Sequence, residues 1–335
     1  MSSKDSLVFR AGWFLRSRPI LLRRWLRGKL ADWGGTASAA RKAREQWNPE
    51  AFPSEMSDFF WTRSRVVREY LHEMASGDPR CDWVTWMTHR YAVTSGLSVL
   101  VLGCGDGWLE RALAGNGRVR SVVGVDFSPE AVARASEATA RAGLDDKVRH
   151  QVVDLDREAF PGGPYDLVFA HDVIHHLRDL DRFFDRASNE LAPGGVLLFC
   201  EYVGPDRFQY DRKRREIVDE FLRALPEKYR RLPRTGGVAT EGVRTDAGEL
   251  ARRDPSEAVR SSEILPAVRR RMRVLEEIPY GGSILNPLLH EIIANFEDGN
   301  EADEAILRQL CASEKVLIQT GAIPSDYVIV AATKK

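Results

Sequence analysis

Between positions 97 and 203, short runs of β-branched and aliphatic residues alternate with longer stretches whose apolar positions recur at helical spacing. The runs 97–102, 121–126, 148–154, 165–171 and 196–202 predict strands, the first two apolar enough to be buried on both faces. Ser128 and Gly143 predict the cap and the stop of an alanine-rich helix over 129–143. Such alternation predicts a mostly parallel sheet with helices on both faces and a ligand at the carboxyl ends of the strands. Beyond 203 the pattern breaks. The segment 204–255 carries a basic helix and a Gly- and Arg-rich loop, and because it leaves the fifth strand at the ligand end it predicts a lid. A helix over 262–271, a strand over 273–278, a helical insertion over 286–320 and a last strand over 327–332 complete the pattern.

The first strand runs directly into Gly103, Gly105 and Gly107, which predicts a turn in which main-chain N–H groups can meet a ligand. The second ends at Asp126, 23 residues after Gly103, where a carboxylate can hold a ribose diol. A dinucleotide fingerprint would need a third glycine at 108, and Trp108 stands there.

With Val99-Leu-Val-Leu-Gly-Cys-Gly-Asp-Gly107 and Val123-Gly-Val-Asp-Phe-Ser-Pro-Glu130 on the page, the chain closely resembles the class I S-adenosylmethionine (SAM)-dependent methyltransferases. Val152-Val153-Asp154, Tyr165 to Val168, His175-His176-Leu177 and Leu191 to Gly195 fit the same family, and the resemblance covers roughly 90–203 with a weaker echo near the C-terminus. It implies an α/β Rossmann-like sheet, mostly parallel with a terminal antiparallel hairpin, and SAM as cofactor. It implies a cofactor site at Gly103, Cys104, Gly105, Gly107, Asp126, Phe127, Asp154, Leu155 and His171. One position departs from the pattern: the acid that the family usually carries two residues before the first glycine is here Val101, which leaves Asp106 or a backbone carbonyl to hold the methionine amino group.

The sulfonium cofactor is already activated, so positioning supplies much of the catalysis, but an alcohol acceptor must lose its proton. A histidine suits that task. His175 and His176, just after the fourth strand, are the candidate bases; the competing reading is a plain helix start with one ring packed. Asp172, Glu201, Tyr202, Arg207 and Tyr210 are the candidate acceptor contacts, and this Tyr, Arg and carboxylate mixture suits a sugar or another polar hydroxyl compound. The expected activity is therefore O-methylation of a glycan or small molecule. The alternatives are O-methylation of an aromatic or polyketide-like metabolite and a non-catalytic SAM-fold binding protein. In the family, helices ahead of the first strand often close over the cofactor; for the aromatics Phe59 to Tyr91 of the helical stretch 55–93, core packing is the favoured reading.

Charge sharpens the picture at one end only. The 335 residues include 49 basic and 49 acidic ones, so no whole-protein field favours nucleic acid as a partner. Residues 1–47, however, hold eleven basic and three acidic residues, with Leu21, Leu22, Trp25, Leu26 and Leu30 at helical spacing. This basic amphipathic extension is expected to pack on the protein or a partner subunit, with peripheral contact to an anionic membrane face as the second reading. Arg10, Arg16 and Arg18 interrupt any leader-like apolar stretch, and no apolar run approaches the roughly 20 residues that span a bilayer. Cys81, Cys104, Cys200 and Cys311 are too scattered for a disulfide or zinc framework. The sequence thus predicts a reduced, cytoplasmic protein without a metal, with residues 1–47 as the segment that would meet the inner membrane face under the second reading. Its expected divisions are 1–47 (extension), 48–95 (helical cap), 96–203 (cofactor core), 204–258 (lid) and 259–335 (core completion, interrupted by 286–320).

Overall fold

The structure, a computed structural model, describes residues 59–335. The basic extension, and with it the membrane or partner contact expected of it, lies outside the described residues. Seven strands form one sheet: β1 Leu97–Leu102, β2 Val119–Asp126, β3 Val148–Val152, β4 Tyr165–His171, β5 Leu191–Tyr202, β6 Arg273–Gly281 and β7 Tyr327–Thr333. Their order is β3-β2-β1-β4-β5-β7-β6. The first five are parallel, and β7 runs antiparallel to both β5 and β6. The strand order reverses between β1 and β4, which opens a crevice at their carboxyl ends.

Helices cover both faces because the strands are apolar on both. On one face α5 (Leu180–Glu190) and α8 (Ile264–Arg271) bring Phe183, Phe184, Ile264 and Val268 against Leu100, Val168 and Leu197. On the other, α2 (Trp83–Tyr91) and α3 (Trp108–Ala114) bury Trp83, Met87, Leu109 and Leu113 against Val99, Val101 and Phe169. The helix over 129–143 is α4 (Pro129–Arg141), with Ser128 accepting from the Ala131 N–H as its cap.

Several predicted boundaries move. The third strand stops at Val152, because the Asp154 carboxylate turns the chain by accepting the Asp156 N–H. The fifth begins at Leu191 rather than 196. The insertion 286–320 divides into α9 (Leu285–Leu289), a 3₁₀ turn at Ile292–Asn295 and α10 (Glu301–Gln319), interrupted at Gly299 and recapped by Asn300.

The predicted lid is the main departure. Its basic helix, α6 (Arg212–Ala224), buries Val218 and Leu222 in a separate apolar cluster with Val67 and Leu71 of α1 (Arg65–Ser76), Leu285 and Leu288 of α9, and Leu307 and Leu310 of α10. Helix α7 (Ala247–Arg253) then leads to a turn at 254–257 that returns to the end of β4. The segment thus builds a helical side wall, and only its last residues reach the crevice.

Candidate active site

A cleft of about 520 Å³ lies at the carboxyl ends of β1, β2 and β4. Its wall is made by Gly103 to Asp106, Trp108, Asp126 to Ser128, Asp154 to Arg157, His171 to Val173, His176 to Asp179 and Ser256. Gly103 sits at φ +75, and a Cβ there would fall 2.7 Å from Val173, so only glycine lets the β1 turn pack on the turn after β4.

The glycine turn spends its own donors. Gly103 and Cys104 give their N–H groups to the Val125 carbonyl at 2.8 and 2.9 Å, Gly107 gives its N–H to the Cys104 carbonyl at 2.8 Å, and Trp108 gives its N–H to Asp106 Oδ1 at 3.0 Å. The Gly105 N–H goes to Asp126 Oδ2 at 3.0 Å. Five N–H groups of the turn, those of Gly103, Cys104, Gly105, Gly107 and Trp108, are therefore already used, which weakens the usual means of holding a pyrophosphate. Asp126 also accepts the Ser128 N–H on Oδ1 at 2.9 Å, so both oxygens are fixed in place with lone pairs remaining for a diol. Burial pushes its carboxyl above the usual range.

Val101 is buried in the sheet and points away from the cleft, so an acid is missing at that position without a direct substitute in the strand. Asp106 and Asp172 are the carboxylates that line the cleft nearby. Asp172 holds φ 50, an unfavourable conformation for a residue with a Cβ, and its N–H is tied to the Cys200 carbonyl at 3.1 Å. His171 lies between Trp83, with centroids 5.5 Å apart, and the edge-on ring of Trp108 at 5.7 Å. Trp108 is 44% exposed, unusual for an indole unless something else covers it.

The two histidines separate in role. The turn after β4, a 3₁₀ helix at Ile174–His176, is anchored by the fully buried Glu201: Oε1 accepts the Val173 and Ile174 N–H groups at 2.7 Å each, and Oε2 lies 2.7 Å from His175 Nδ1. His175 is buried beneath the cleft, whereas His176 lines it. Burial by itself lowers His175, but the hydrogen bond and charge of Glu201, joined by Glu257 and Asp172, outweigh it and push the imidazole up to about 9. Burial and then the neighbouring His175 charge push His176 down to about 4. Ser256 Oγ gives its hydrogen to Asp254 Oδ1 at 2.6 Å, so it receives one from His176 Nδ1 at 3.1 Å, which leaves Nε2 as the basic nitrogen.

These shifts give a pH dependence of stability. His175, raised from 6.5, stabilises the fold fully below 6.5 and loses that contribution as pH rises through about 9. His176, lowered from 6.5, opposes folding as pH falls from 6.5 toward 4. Each limb is on the order of 3 kcal/mol at its extreme. Urea titrations at pH 4.5, 6.5 and 9.5 are expected to be most stable at the middle value; a monotonic trend contradicts the assignment.

Several sequence-predicted contacts do not reach the cleft. Glu201 spends its oxygens on the turn; Tyr202 is buried, its hydroxyl donating to the Pro205 carbonyl at 3.0 Å. Arg207 donates to the carbonyls of Asp254, Pro255 and Glu257 at 3.1, 2.6 and 2.7 Å and so holds the 254–257 turn. Tyr210 lies against the Arg214 guanidinium, 5.8 Å from its ring centroid. Of the acceptor candidates Asp172 alone lines the cleft, and eight of the nine cofactor candidates do, Gly107 being the exception. Ser256 and Arg178 are cleft residues the sequence did not single out, and Trp108 was noted only for excluding a dinucleotide fingerprint; the Asp-Pro-Ser turn at 254–256 was a local signal for Ser256 alone.

A sheet of this order, with a terminal antiparallel pair and a glycine turn beside an acid, defines the class I methyltransferase architecture. Residues 100–197 match a family described as a methyltransferase domain, and this match together with the fold supports a class I SAM-dependent methyltransferase. Among curated relatives, it is 29% identical over 158 residues to a ubiquinone biosynthesis O-methyltransferase of Brucella anthropi, covering 47% of this chain and 58% of that one. It is 35% identical over 105 residues to a probable chloroplastic tocopherol O-methyltransferase of Oryza sativa, covering 31% and 29%. The chain thus spans little more than half of the first of these and under a third of the second. A solved geranyl diphosphate C-methyltransferase from Streptomyces coelicolor A3(2) shares the fold, with a TM-score of 0.50, 16% identity, and coverage of 89% of this chain and 98% of that one.

Proposed function

We propose that the chain transfers the methyl group of SAM to a hydroxyl of a small organic acceptor, with His176 receiving the hydroxyl proton. The observation that carries this reading is the placement of a neutral imidazole in the cleft wall with its basic Nε2 set by the Ser256–Asp254 relay. Bound in the cleft, SAM supplies an activated methyl on a sulfonium. Asp126 would hold the ribose, Asp154 and Leu155 would border the adenine, and Asp106 would take the methionine amino group in place of an acid at 101. His171 would border the cofactor and Asp172 the acceptor, and the Glu201 clamp keeps the histidine turn in position.

The acceptor is read as a phenolic or otherwise acidic hydroxyl. A base near 4 is poorly matched to an aliphatic alcohol, which is about as weak an acid as water, and better matched to a phenol at about 10. The indoles beside His171 suit a planar ring. The sugar reading rested on Glu201, Tyr202, Arg207 and Tyr210, which are engaged elsewhere, and on the basic extension, which lies outside the described residues. Relatives named as O-methyltransferases support oxygen as the accepting atom.

His176→Ala is expected to lower kcat on a phenolic acceptor by roughly 10²-fold or more with SAM affinity retained. The kcat/KM profile should be level between limbs at about 4 and about 9. Unchanged turnover in the variant removes His176 from the reaction.

A further inference from the structure

We propose that Cys104, Glu110 and His150 form a buried site for one divalent transition metal of the zinc class, which ties together the three elements that carry the cofactor turn. Cys104 lies in the glycine turn, Glu110 on α3 and His150 on β3. One ligand atom from each falls within 4.8 Å of the other two. Around tetrahedral zinc such atoms stand about 3.3–3.8 Å apart, so side-chain closure of about 1 Å completes the geometry.

The second observation is what these groups lack. Glu110 is fully buried, and neither of its oxygens has a hydrogen-bond partner among the described residues. His150 Nε2 beside it is also buried and without one. An isolated buried carboxylate is among the most costly groups a fold can hold, and two adjacent orphans facing one another call for a shared cation or a proton. The surrounding backbone makes room for them. A Cβ on Gly124 would fall 2.2 Å from Glu110 Oε1 and 2.9 Å from His150 Cδ2, and one on Gly107 would fall 3.1 Å from His150 Nε2.

A thiolate, an imidazole and a carboxylate form a borderline-soft donor set that suits zinc, cobalt or nickel rather than magnesium or calcium. Metal entry displaces the thiol proton and any proton on Glu110, and the two resulting anions balance the dication. The site is therefore neutral beside Arg111, whose Nη1 is held on the Asp106 carbonyl at 2.6 Å. Because Asp126 binds the next residue of the turn, Gly105, a fixed Cys104 would also hold the ribose-binding carboxylate in register.

The full chain, stripped with chelator and dialysed against buffered Zn²⁺, is expected to retain about one equivalent by plasma mass spectrometry. Its Tm should rise by several degrees. Cobalt in place of zinc should give a thiolate-to-metal charge-transfer band. Cys104→Ser should abolish that band, and Glu110→Gln and His150→Gln should each weaken metal affinity at least tenfold, with far-UV circular dichroism reporting that the variants fold. Chelation should weaken SAM binding several-fold. No near-stoichiometric metal in the wild-type chain would overturn the proposal in favour of a protonated Glu110. Metal held equally by all three variants would overturn it in favour of another ligand set, such as His175, His176 and Glu257. These readouts do not use methyl transfer, so they stand apart from the proposed activity.

Discussion

Glu201→Gln is expected to destabilise the protein by about 3–5 kcal/mol and to abolish turnover. Glu201 is a fully buried carboxylate whose three close partners are all donors: two backbone N–H groups and the His175 ring, each at 2.7 Å. Glutamine keeps the shape but offers one acceptor oxygen and one NH₂, so at least one donor faces another donor. Raised to about 9, His175 is also left charged without its principal counter-charge in a buried position, or must lose its proton. Both routes loosen the 3₁₀ turn that presents His176 to the cleft. Urea unfolding at pH 7 measures the loss. A change under about 1 kcal/mol would mean that the carboxylate does not anchor the turn.

Asp126→Ala should weaken SAM binding by about 10²-fold or more, the equivalent of roughly 3 kcal/mol, through two combined losses. The carboxylate is the group best placed to meet a ribose diol, and it also holds the Gly105 and Ser128 N–H groups. Asp126→Asn separates these effects. It keeps one acceptor and is expected to cost about tenfold in affinity with little change in Tm. Calorimetry on both variants gives the comparison, and equal affinity in wild type and Asp126→Ala would remove Asp126 from the cofactor site.

The features legible in the sequence were those set by local pattern. Apolar runs placed β1, β2 and β4 to within two residues, because strands buried on both faces need nearly every position apolar. The glycine turn and Asp126 were legible because a strand end followed by glycine and a second strand ending in an acid are local signatures. The identity of the cleft-facing polar residues was not. Glu201 and Tyr202 stand at the ligand end of β5, yet the pleat and the neighbouring turn direct both into the interior. The path of 204–255 was hidden for a related reason. Whether a segment leaving a strand end folds over the crevice or beside it depends on which apolar face it meets, and Val218 and Leu222 join the apolar cluster to which α9 and α10 belong. Glu110 reads in sequence as a surface position of an amphipathic helix. Only the assembled sheet shows it facing Gly124 and His150.

Methyl-labelled SAM incubated with the purified chain and a matched set of phenolic and sugar hydroxyl acceptors tests whether the chain methylates an acidic hydroxyl through His176. Label is expected on phenolic oxygen, little on sugars, and none in His176→Ala while that variant still binds SAM. No label on any acceptor, together with no SAM binding by calorimetry, would contradict it and leave Val101 as the mark of a cofactor site that no longer works.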